Sequence, residues 1–305
     1  MKNYVKDNTL TGYLFAFLTI TIWSGWTIMS RIGALGSLSP FDLVFMRYSF
    51  AGLIMLPTAI RNFHLINKQN YLGILVMIVG AGAPYLWFAL LGFQRAPISH
   101  GILIPSAMPL FVAILSFMVF KERLIATRLL GYLFILCGII FRLNNNHSTI
   151  SSSYADIFFL IAALLWAIYT VQNKYLHLTP IVATSFVTCG SMFILIIPYV
   201  IYQYKHPHAL PLIESTQQII YQGFITSILS LITYNRAIEI IGAAKTSCFA
   251  ALCPVMVTLL AIPFLHEIPN TYDWIFVIIM SIGVFLASGV LTFFEVQKKI
   301  EAPFH

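Results

Sequence analysis

The chain has 305 residues, of which 59% are hydrophobic and only 9% are charged, and its mean hydropathy is +0.88. Soluble domains carry roughly 25% charged residues, so this composition excludes an ordinary soluble enzyme and indicates a polytopic membrane protein. The net charge of +7 does not indicate nucleic-acid binding. Most lysines and arginines fall on one side of the predicted spans, which is a signal of membrane topology.

Ten apolar stretches follow one another along the chain, each about as long as the ~20 residues that a membrane-spanning helix needs. In chain order they are Gly12–Ser30, Phe41–Ile60, Tyr71–Gln94, Ile98–Phe120, Leu124–Phe141, Tyr154–Gln172, Ile181–Tyr204, Gln218–Asn235, Thr246–Leu265 and Trp274–Phe294. The predicted fold is an all-α integral membrane protein with ten transmembrane helices. The distribution of basic residues predicts that both termini are cytoplasmic, in a multi-pass protein of the cell membrane, the inner membrane of a bacterium.

The two halves of the chain carry matching side-chain patterns. Trp23, Trp26, Thr27, Ser30 and Arg31 recur 143 positions later as Trp166, Tyr169, Thr170, Asn173 and Lys174; Pro109, Glu122 and Gly138 recur as Pro254, Glu267 and Gly283. Residues 1–147 and 148–305 are therefore predicted to be two five-helix repeats of one membrane domain. Because five is odd, the second repeat enters the membrane from the opposite side. Inverted repeats of this kind build secondary transporters, with a site near the bilayer midplane where the halves meet.

One stretch is more specific than the repeat. It runs from Arg95 to Phe111 (RAPISHGILIPSAMPLF), reaches Lys121-Glu122-Arg123, and is followed by Gly131 and Gly138; the second half repeats Cys253-Pro254, Glu267 and Gly283. With these motifs the whole chain resembles the EamA-type ten-helix permeases of the drug/metabolite transporter superfamily. The resemblance implies a central cavity and transport of small metabolites, often amino-acid export. Phe276 and Ser24 stand where the family often has glycine.

The side chains that we predict to line this cavity follow from helix periodicity, because offsets of 3, 4 and 7 residues fall on one face. They are Trp23, Trp26, Ser30, Tyr85, Phe88, His100, Trp166, Tyr169, Asn173, Ser230 and Tyr234. Aromatic side chains at the membrane surface and polar contacts between helices are the alternative interpretations. Pro105, Pro109 and Pro254 are predicted to bend their helices, since proline removes a backbone hydrogen bond.

Ionisable residues at membrane depth are costly and are therefore functional candidates. Histidine changes protonation near neutral pH, so His100 is a candidate for substrate contact or proton relay, and the sequence leaves proton coupling open. Arg47 is interpreted as structural, either reaching the membrane surface or pairing with Asp42. All ten acidic residues are placed in tails, loops or span edges. This argues against a drug/proton exchanger that depends on a carboxylate inside its first helix.

The favoured function is export of a small zwitterionic metabolite such as an amino acid. Small residues such as Gly131, Gly138 and Gly283 leave open packing within one protomer or between protomers of an oligomer. Neither the histidines nor the cysteines show metal-ligand spacing, and no metal or cofactor is predicted. A membrane enzyme acting on lipid-like substrates and a non-transporting membrane sensor remain as alternative functions.

Overall fold

The computed structural model describes residues 2–66, 69–121, 126–144, 150–241, 246 and 249–289, and over these residues it is helical without a strand. The helices are α1 (Lys2–Leu35), α2 (Pro40–Arg61), α3 (Tyr71–Ala81), α4 (Ala83–Phe93), α5 (Ile98–Gly101), α6 (Leu103–Phe120), α7 (Ala126–Asn144), α8 (Ile150–Leu176), α9 (Pro180–Lys205), α10 (Leu212–Gln218), α11 (Ser230–Ile241), α12 (Cys253–Leu265) and α13 (Thr271–Ala287). A π-helical segment, Ile219–Leu229, joins α10 to α11.

Seven helical segments are long and apolar enough to cross a membrane. They are Thr9–Leu35, Pro40–Arg61, Tyr71–Phe93, Ile98–Phe120, Tyr154–Leu176, Pro180–Lys205 and Leu212–Ile241, and two shorter apolar helices are Ala250–Leu265 and Thr271–Ala287. The predicted all-helical membrane fold is thus confirmed. The number of ten spans stays a prediction, because several predicted spans, Leu124–Phe141 among them, include residues outside the described part of the chain.

Two of the predicted spans are interrupted. The span that begins at Tyr71 is divided at Gly82 into α3 and α4, and Pro84 lies in the first turn of α4. Tyr48 of α2 donates a hydrogen bond to the carbonyl oxygens of Ala81 and Gly82, at 2.8 Å each. The Gly82 carbonyl also accepts from the backbone N–H of Leu86 at 3.4 Å, so the buried phenol chiefly satisfies the Ala81 carbonyl at the interruption, as the membrane interior requires.

The second interruption separates α5 from α6 at Ile102, three residues before Pro105. Proline has no N–H to continue the helical ladder back to the preceding turn, which accounts for the break. Helix α6 continues through Pro109. Pro254 lies in the first turn of α12, after a short 3-10 turn, so at this proline the chain begins a helix rather than bending one. The missing N–H is tolerated there.

The helices pack in a regular set of pairs. Helix α1 packs against α11 and α12, α8 packs against α3, α4 and α6, α2 packs against α9, and α7 packs against α13. Gly131 of α7 and Gly283 of α13 bring the last pair into backbone contact. A Cβ atom on Gly131 would overlap the backbone nitrogen of Ala287 and lie 2.7 Å from the carbonyl oxygen of Gly283. These two glycines therefore serve packing within the protomer.

Candidate functional site

An aromatic cluster, formed by Trp26 of α1, Tyr85 of α4, and Trp166 and Tyr169 of α8, lies in the interior of the bundle. The rings of Trp26 and Tyr85 are stacked with centroids 5.9 Å apart, Tyr85 lies 4.8 Å from Trp166, and Trp166 lies 5.6 Å from Tyr169. Trp26 and Tyr85 are buried, and the other two are part-buried. Tyr85 thus connects the aromatic stripe of the first half with that of the second.

The other predicted aromatic residues lie beside this cluster. Trp23 packs against Tyr234 of α11, with ring centroids 5.3 Å apart, and both are part-buried. Phe88 is also part-buried and lies 6.0 Å from the ring of Phe158. The structure therefore brings Trp26, Tyr85, Trp166 and Tyr169 together, whereas Trp23 and Tyr234 form a separate pair between α1 and α11.

Three polar side chains near the two aromatic stripes have buried atoms without a hydrogen-bond partner in the described part of the chain. These atoms are Trp26 Nε1, Ser30 Oγ and Asn173 Oδ1. Ser230 differs, because its hydroxyl donates to the carbonyl oxygen of Thr226 in the preceding turn. A buried polar group without a partner costs free energy, so Trp26, Ser30 and Asn173 are the predicted residues with capacity left for a ligand.

His100 of α5 forms a buried pair with Asp156 of α8. The His100 Nδ1 atom lies 2.6 Å from Asp156 Oδ1, and the two side chains are 4% and 0% exposed. Asp156 is the third residue of the span Tyr154–Leu176, at the edge where the sequence predicts it, but its side chain is enclosed between α5 and α8. The chain therefore does hold a carboxylate buried between helices.

Ion pairs link the helices at one end of the bundle, which we call the ion-paired end. Arg31 Nε donates to Glu267 Oε1 at 2.8 Å, and Glu267 Oε2 accepts from the backbone N–H of Ile98 at 2.7 Å. Arg142 donates to Asp273 at 2.7 Å and to Ser99 at 3.1 Å. Glu267, interpreted from the sequence as a loop residue, thus joins α1, α5 and α12, while Glu122 lies outside the described residues.

A second group of contacts at the ion-paired end centres on Asp42, which caps α2 together with Ser39. The Asp42 carboxylate accepts hydrogen bonds from Tyr199 at 2.8 Å and Gln203 at 3.2 Å, and it pairs with His208 at 3.0 Å. Between described residues, the ion pairs that join different helices all lie at this end. Charged contacts therefore hold this end of the bundle together.

His208 lies in the loop between α9 and α10. The pKa of His208 is raised because its ring bonds the carbonyl oxygen of His206 and the carboxylate of Asp42. A raised pKa in the folded protein means stabilisation that is complete below the ordinary histidine value of about 6.5 and is lost as the pH rises through the folded value.

Replacing His208 by Gln is therefore expected to lower the melting temperature in detergent more at about pH 5.5 than at about pH 8.5. The effect should be modest, because the side chain is about a third exposed and solvent screens such pairs. His64→Gln, at an exposed histidine after α2, is the control. An equal loss for His208→Gln at both pH values would contradict the expectation.

A groove of about 310 Å³ opens between α6 and α8, separate from the aromatic cluster. Its walls are formed by Leu115, Val119, Ile168, Val171, Gln172 and Tyr175. The described residues hold no group of three or more His, Cys, Asp or Glu side chains that fits a metal ion. The lining of the groove is mostly apolar, whereas the aromatic stripes carry buried polar atoms without a partner among the described residues, so we take the aromatic cluster as the candidate ligand site.

The described helices define a multi-pass helical membrane protein with an aromatic and polar interior. The model of the EamA-like transporter family matches residues 10–143 and again residues 153–289, and the chain belongs to this family. The resemblance recognised in the sequence is thereby confirmed.

The relatives of the chain have transporter names without a substrate. The chain is 26% identical to the uncharacterized transporter YyaM of Bacillus subtilis, over 90% of this chain and 92% of the relative. It is 23% identical to an uncharacterized transporter of Archaeoglobus fulgidus, over 92% and 98% of the two chains. A solved crystal structure, 18% identical, matches with a TM-score of 0.62 over 90% of this chain and 96% of that chain. At this identity the last likeness shows the fold alone.

Proposed function

We propose that the protein is a secondary transporter that exports amino acids or related zwitterions through a central cavity. The observation that carries this proposal is the aromatic cluster, where stripes from both halves meet; the same two stripes carry the unpartnered atoms of Trp26, Ser30 and Asn173. Aromatic walls enclose the apolar part of a solute, and a few oriented polar groups bind its charged or polar part. Membership of a transporter family supports a transported solute rather than a chemically altered one.

The proposed architecture is ten spans in two inverted repeats, residues 1–147 and 148–305. It is supported by the family model, which matches the chain twice, and by the packing. If α1 corresponds to α8 and α12 to the α5–α6 span, then the contact of α1 with α12 has its equivalent in the contact of α8 with α6. Exchanging the two repeats turns α2 into α9 and α7 into α13, so the contacts of α2 with α9 and of α7 with α13 are unchanged by the exchange. A pseudo-twofold axis predicts this pattern of pairs.

Alternating access by rocking of the two repeats is the proposed mechanism, in a cell membrane with both termini in the cytoplasm. In this orientation the ion-paired end faces outward, and its contacts between Arg31 and Glu267 and between Arg142 and Asp273 close that side. Release of a solute to the outside then requires these contacts to break. When the helices separate at the ion-paired end, the groove between α6 and α8 stays at the opposite, inner side of the bundle.

We further propose that the buried pair of His100 and Asp156 couples transport to protons. It lies at the ion-paired end, and Ser99, next to His100 in the chain, accepts a hydrogen bond from Arg142. A histidine nitrogen and a carboxylate oxygen 2.6 Å apart are within hydrogen-bond distance, so a proton can pass between them. This position next to the contacts that close the bundle supports coupling between protonation and opening.

The proposal is tested by counterflow in liposomes that contain the purified protein. Vesicles loaded with an unlabelled amino acid are expected to accumulate the same amino acid in labelled form, and an imposed pH gradient is expected to increase the rate. A panel of neutral amino acids, organic cations and lipid-like solutes identifies the class. If no labelled solute moves, the protein is a membrane sensor or an enzyme and the transport proposal fails.

Trp166→Ala tests the aromatic cluster. Removal of the indole takes away one wall of the site beside Tyr85, and we expect at least a tenfold loss in transport at low solute concentration, since truncation of a tryptophan at the centre of a binding site commonly costs about 2 kcal/mol of binding free energy. Trp87→Ala is the matched control, because Trp87 is exposed on the outer surface of α4 at 37%. Equal transport by the two variants in the counterflow assay would remove the cluster from the site.

A further inference from the structure

We infer that Arg47 of α2 binds the carboxylate of the transported solute, so the site selects organic carboxylates and zwitterions over amines. This inference rests on the proposed transport function and names the class of its substrate. It replaces the interpretation of Arg47 as a structural residue. The observation behind it is a buried positive charge that the described part of the chain does not neutralise.

Arg47 is enclosed within the bundle. It follows Pro40 by seven residues, which places it about 10 Å along α2 at 1.5 Å per residue, and it is 6% exposed. The guanidinium group of arginine stays charged in proteins. A charge at this depth is costly unless it is paired, so the identity of its partner determines its role.

The partners of Arg47 are neutral. Its Nη1 donates to the side-chain oxygen of Gln222 at 3.3 Å, its Cζ lies 5.9 Å from the ring of Trp26 and 5.6 Å from that of Tyr48, and its Nε has no partner. The amide of Gln222 is fixed by its bond to Gln218 at 2.8 Å. One long hydrogen bond and two aromatic faces leave most of the guanidinium fork available.

The described carboxylates are engaged elsewhere. Three of them pair with an arginine: Glu239 with Arg236, Glu267 with Arg31, and Asp273 with Arg142. Asp156 pairs with His100, and Glu214 accepts a hydrogen bond from Ser37. Asp42 is bonded by Ser39, Tyr199, Gln203 and His208. The comparison with Arg142 is informative, because that side chain is equally buried and has its own carboxylate at 2.7 Å. Arg47 has no such counter-ion among the described residues, and a bound carboxylate would supply one.

The surroundings of Arg47 fit a solute with both a carboxylate and an apolar part. Trp26, whose ring contacts the guanidinium group, is also the first member of the aromatic cluster. Its Nε1 atom and the hydroxyl of Ser30, one turn further along α1, are both buried without a partner. A carboxylate has two oxygens that accept several hydrogen bonds, and an arginine fork binds such a group through two parallel bonds. The apolar part then meets Tyr85 and Trp166.

The inference is tested by ligand-induced thermal stabilisation of the full-length protein in detergent, with probes that share one carbon skeleton. L-leucine and 4-methylpentanoate carry the carboxylate, whereas 3-methylbutylamine lacks it; inorganic phosphate tests for unspecific anion binding. We expect the two carboxylates to stabilise the protein and the amine and phosphate to have at least tenfold weaker effects. Equal stabilisation by the amine, equal stabilisation by phosphate, or none by 4-methylpentanoate would overturn the inference.

The variants Arg47→Gln and Arg47→Lys locate the binding group. Arg47→Gln is expected to weaken 4-methylpentanoate binding at least tenfold, and Arg47→Lys less, because the charge is kept and only the fork is lost. Arg95→Gln, at an exposed arginine next to α4, removes the same charge and should bind as wild type. If Arg47→Gln does not fold, Arg47→Lys and the comparison of probes on wild-type protein decide. Undiminished binding by the folded Arg47 variants contradicts the inference.

The binding assay does not depend on translocation. Carboxylate binding that requires Arg47, found together with absent counterflow, would leave the inference standing and reject the transport proposal. Counterflow of amines or uncharged solutes at rates equal to those of carboxylates, unchanged in Arg47→Lys, would reject the inference and leave the transport proposal standing.

Discussion

Replacing Gly131 by Ala is expected to lower the melting temperature of the protein strongly, although alanine is the better helix-forming residue. The added Cβ would overlap the backbone nitrogen of Ala287 and lie 2.7 Å from the carbonyl oxygen of Gly283. Backbone atoms of a helix cannot turn away as a flexible side chain can, so α7 and α13 must separate. Overpacking of this kind costs about 1–3 kcal/mol, and the loss of contacts along the helix pair adds to it.

Gly73→Ala is the matched control for this prediction. Its added Cβ would meet the end of the Gln172 side chain, which is free to move, and a Gly to Ala change within a helix otherwise favours it by up to about 1 kcal/mol. Both variants are compared with wild type by thermal unfolding in detergent, followed by tryptophan fluorescence. Equal melting temperatures for the two variants would contradict the backbone contact between α7 and α13.

Asp156→Asn is expected to abolish the stimulation of transport by a pH gradient while counterflow without a gradient continues. Asparagine has nearly the volume of aspartate and still accepts a hydrogen bond from His100, but it does not take up a proton. The fold and the solute site should therefore be retained. We expect the ratio of gradient-driven to gradient-free transport to fall to about one.

The control is Glu239→Gln, which also converts a carboxylate to an amide but at an exposed position paired with Arg236 within α11. Its transport ratio should equal that of wild type. The melting temperature of Asp156→Asn is measured alongside, so that a loss of folded protein is distinguished from a loss of coupling. A variant that folds normally and keeps its full response to the gradient would remove the pair from proton coupling.

The membrane fold was predictable from sequence because the bilayer itself sets the length of an apolar helix. The interruption at Gly82 was not predicted, since hydropathy along Tyr71–Phe93 stays high across it, although Pro84 occupies a position where proline commonly begins a helix. Helix periodicity was sufficient to predict the faces that carry Trp26 and Trp166, since positions 3 and 4 apart share one face in any helix. The position of Tyr85 between these faces depends on which helices pack together, and helix periodicity carries no information about helix neighbours.

Charged residues were the hardest to interpret from sequence, because their meaning depends on partners that are distant along the chain. Glu267 lies in a loop by sequence, yet its carboxylate joins Arg31 and the backbone of Ile98. Asp156 lies at the edge of its span, which begins at Tyr154 as predicted, but its burial against His100 depends on a residue 56 positions away along the chain. The lack of a counter-ion for Arg47 becomes visible only when the neighbours of the described carboxylates are known.

The contact between α7 and α13 has a consequence for the origin of the chain. In the proposed repeat Ile135 corresponds to Met280 and Gly138 to Gly283; Gly283 packs against Ile135, and Gly138 packs against Met280. The contact of Gly283 with Ile135 and the contact of Gly138 with Met280 are thus equivalent positions in the two halves, which is the isologous pattern of a symmetric homodimer. Under the proposed inverted repeat, one half of the chain would carry the surface by which it associates with a second copy of itself in the opposite orientation, and joining the two in one polypeptide would make that dimer permanent.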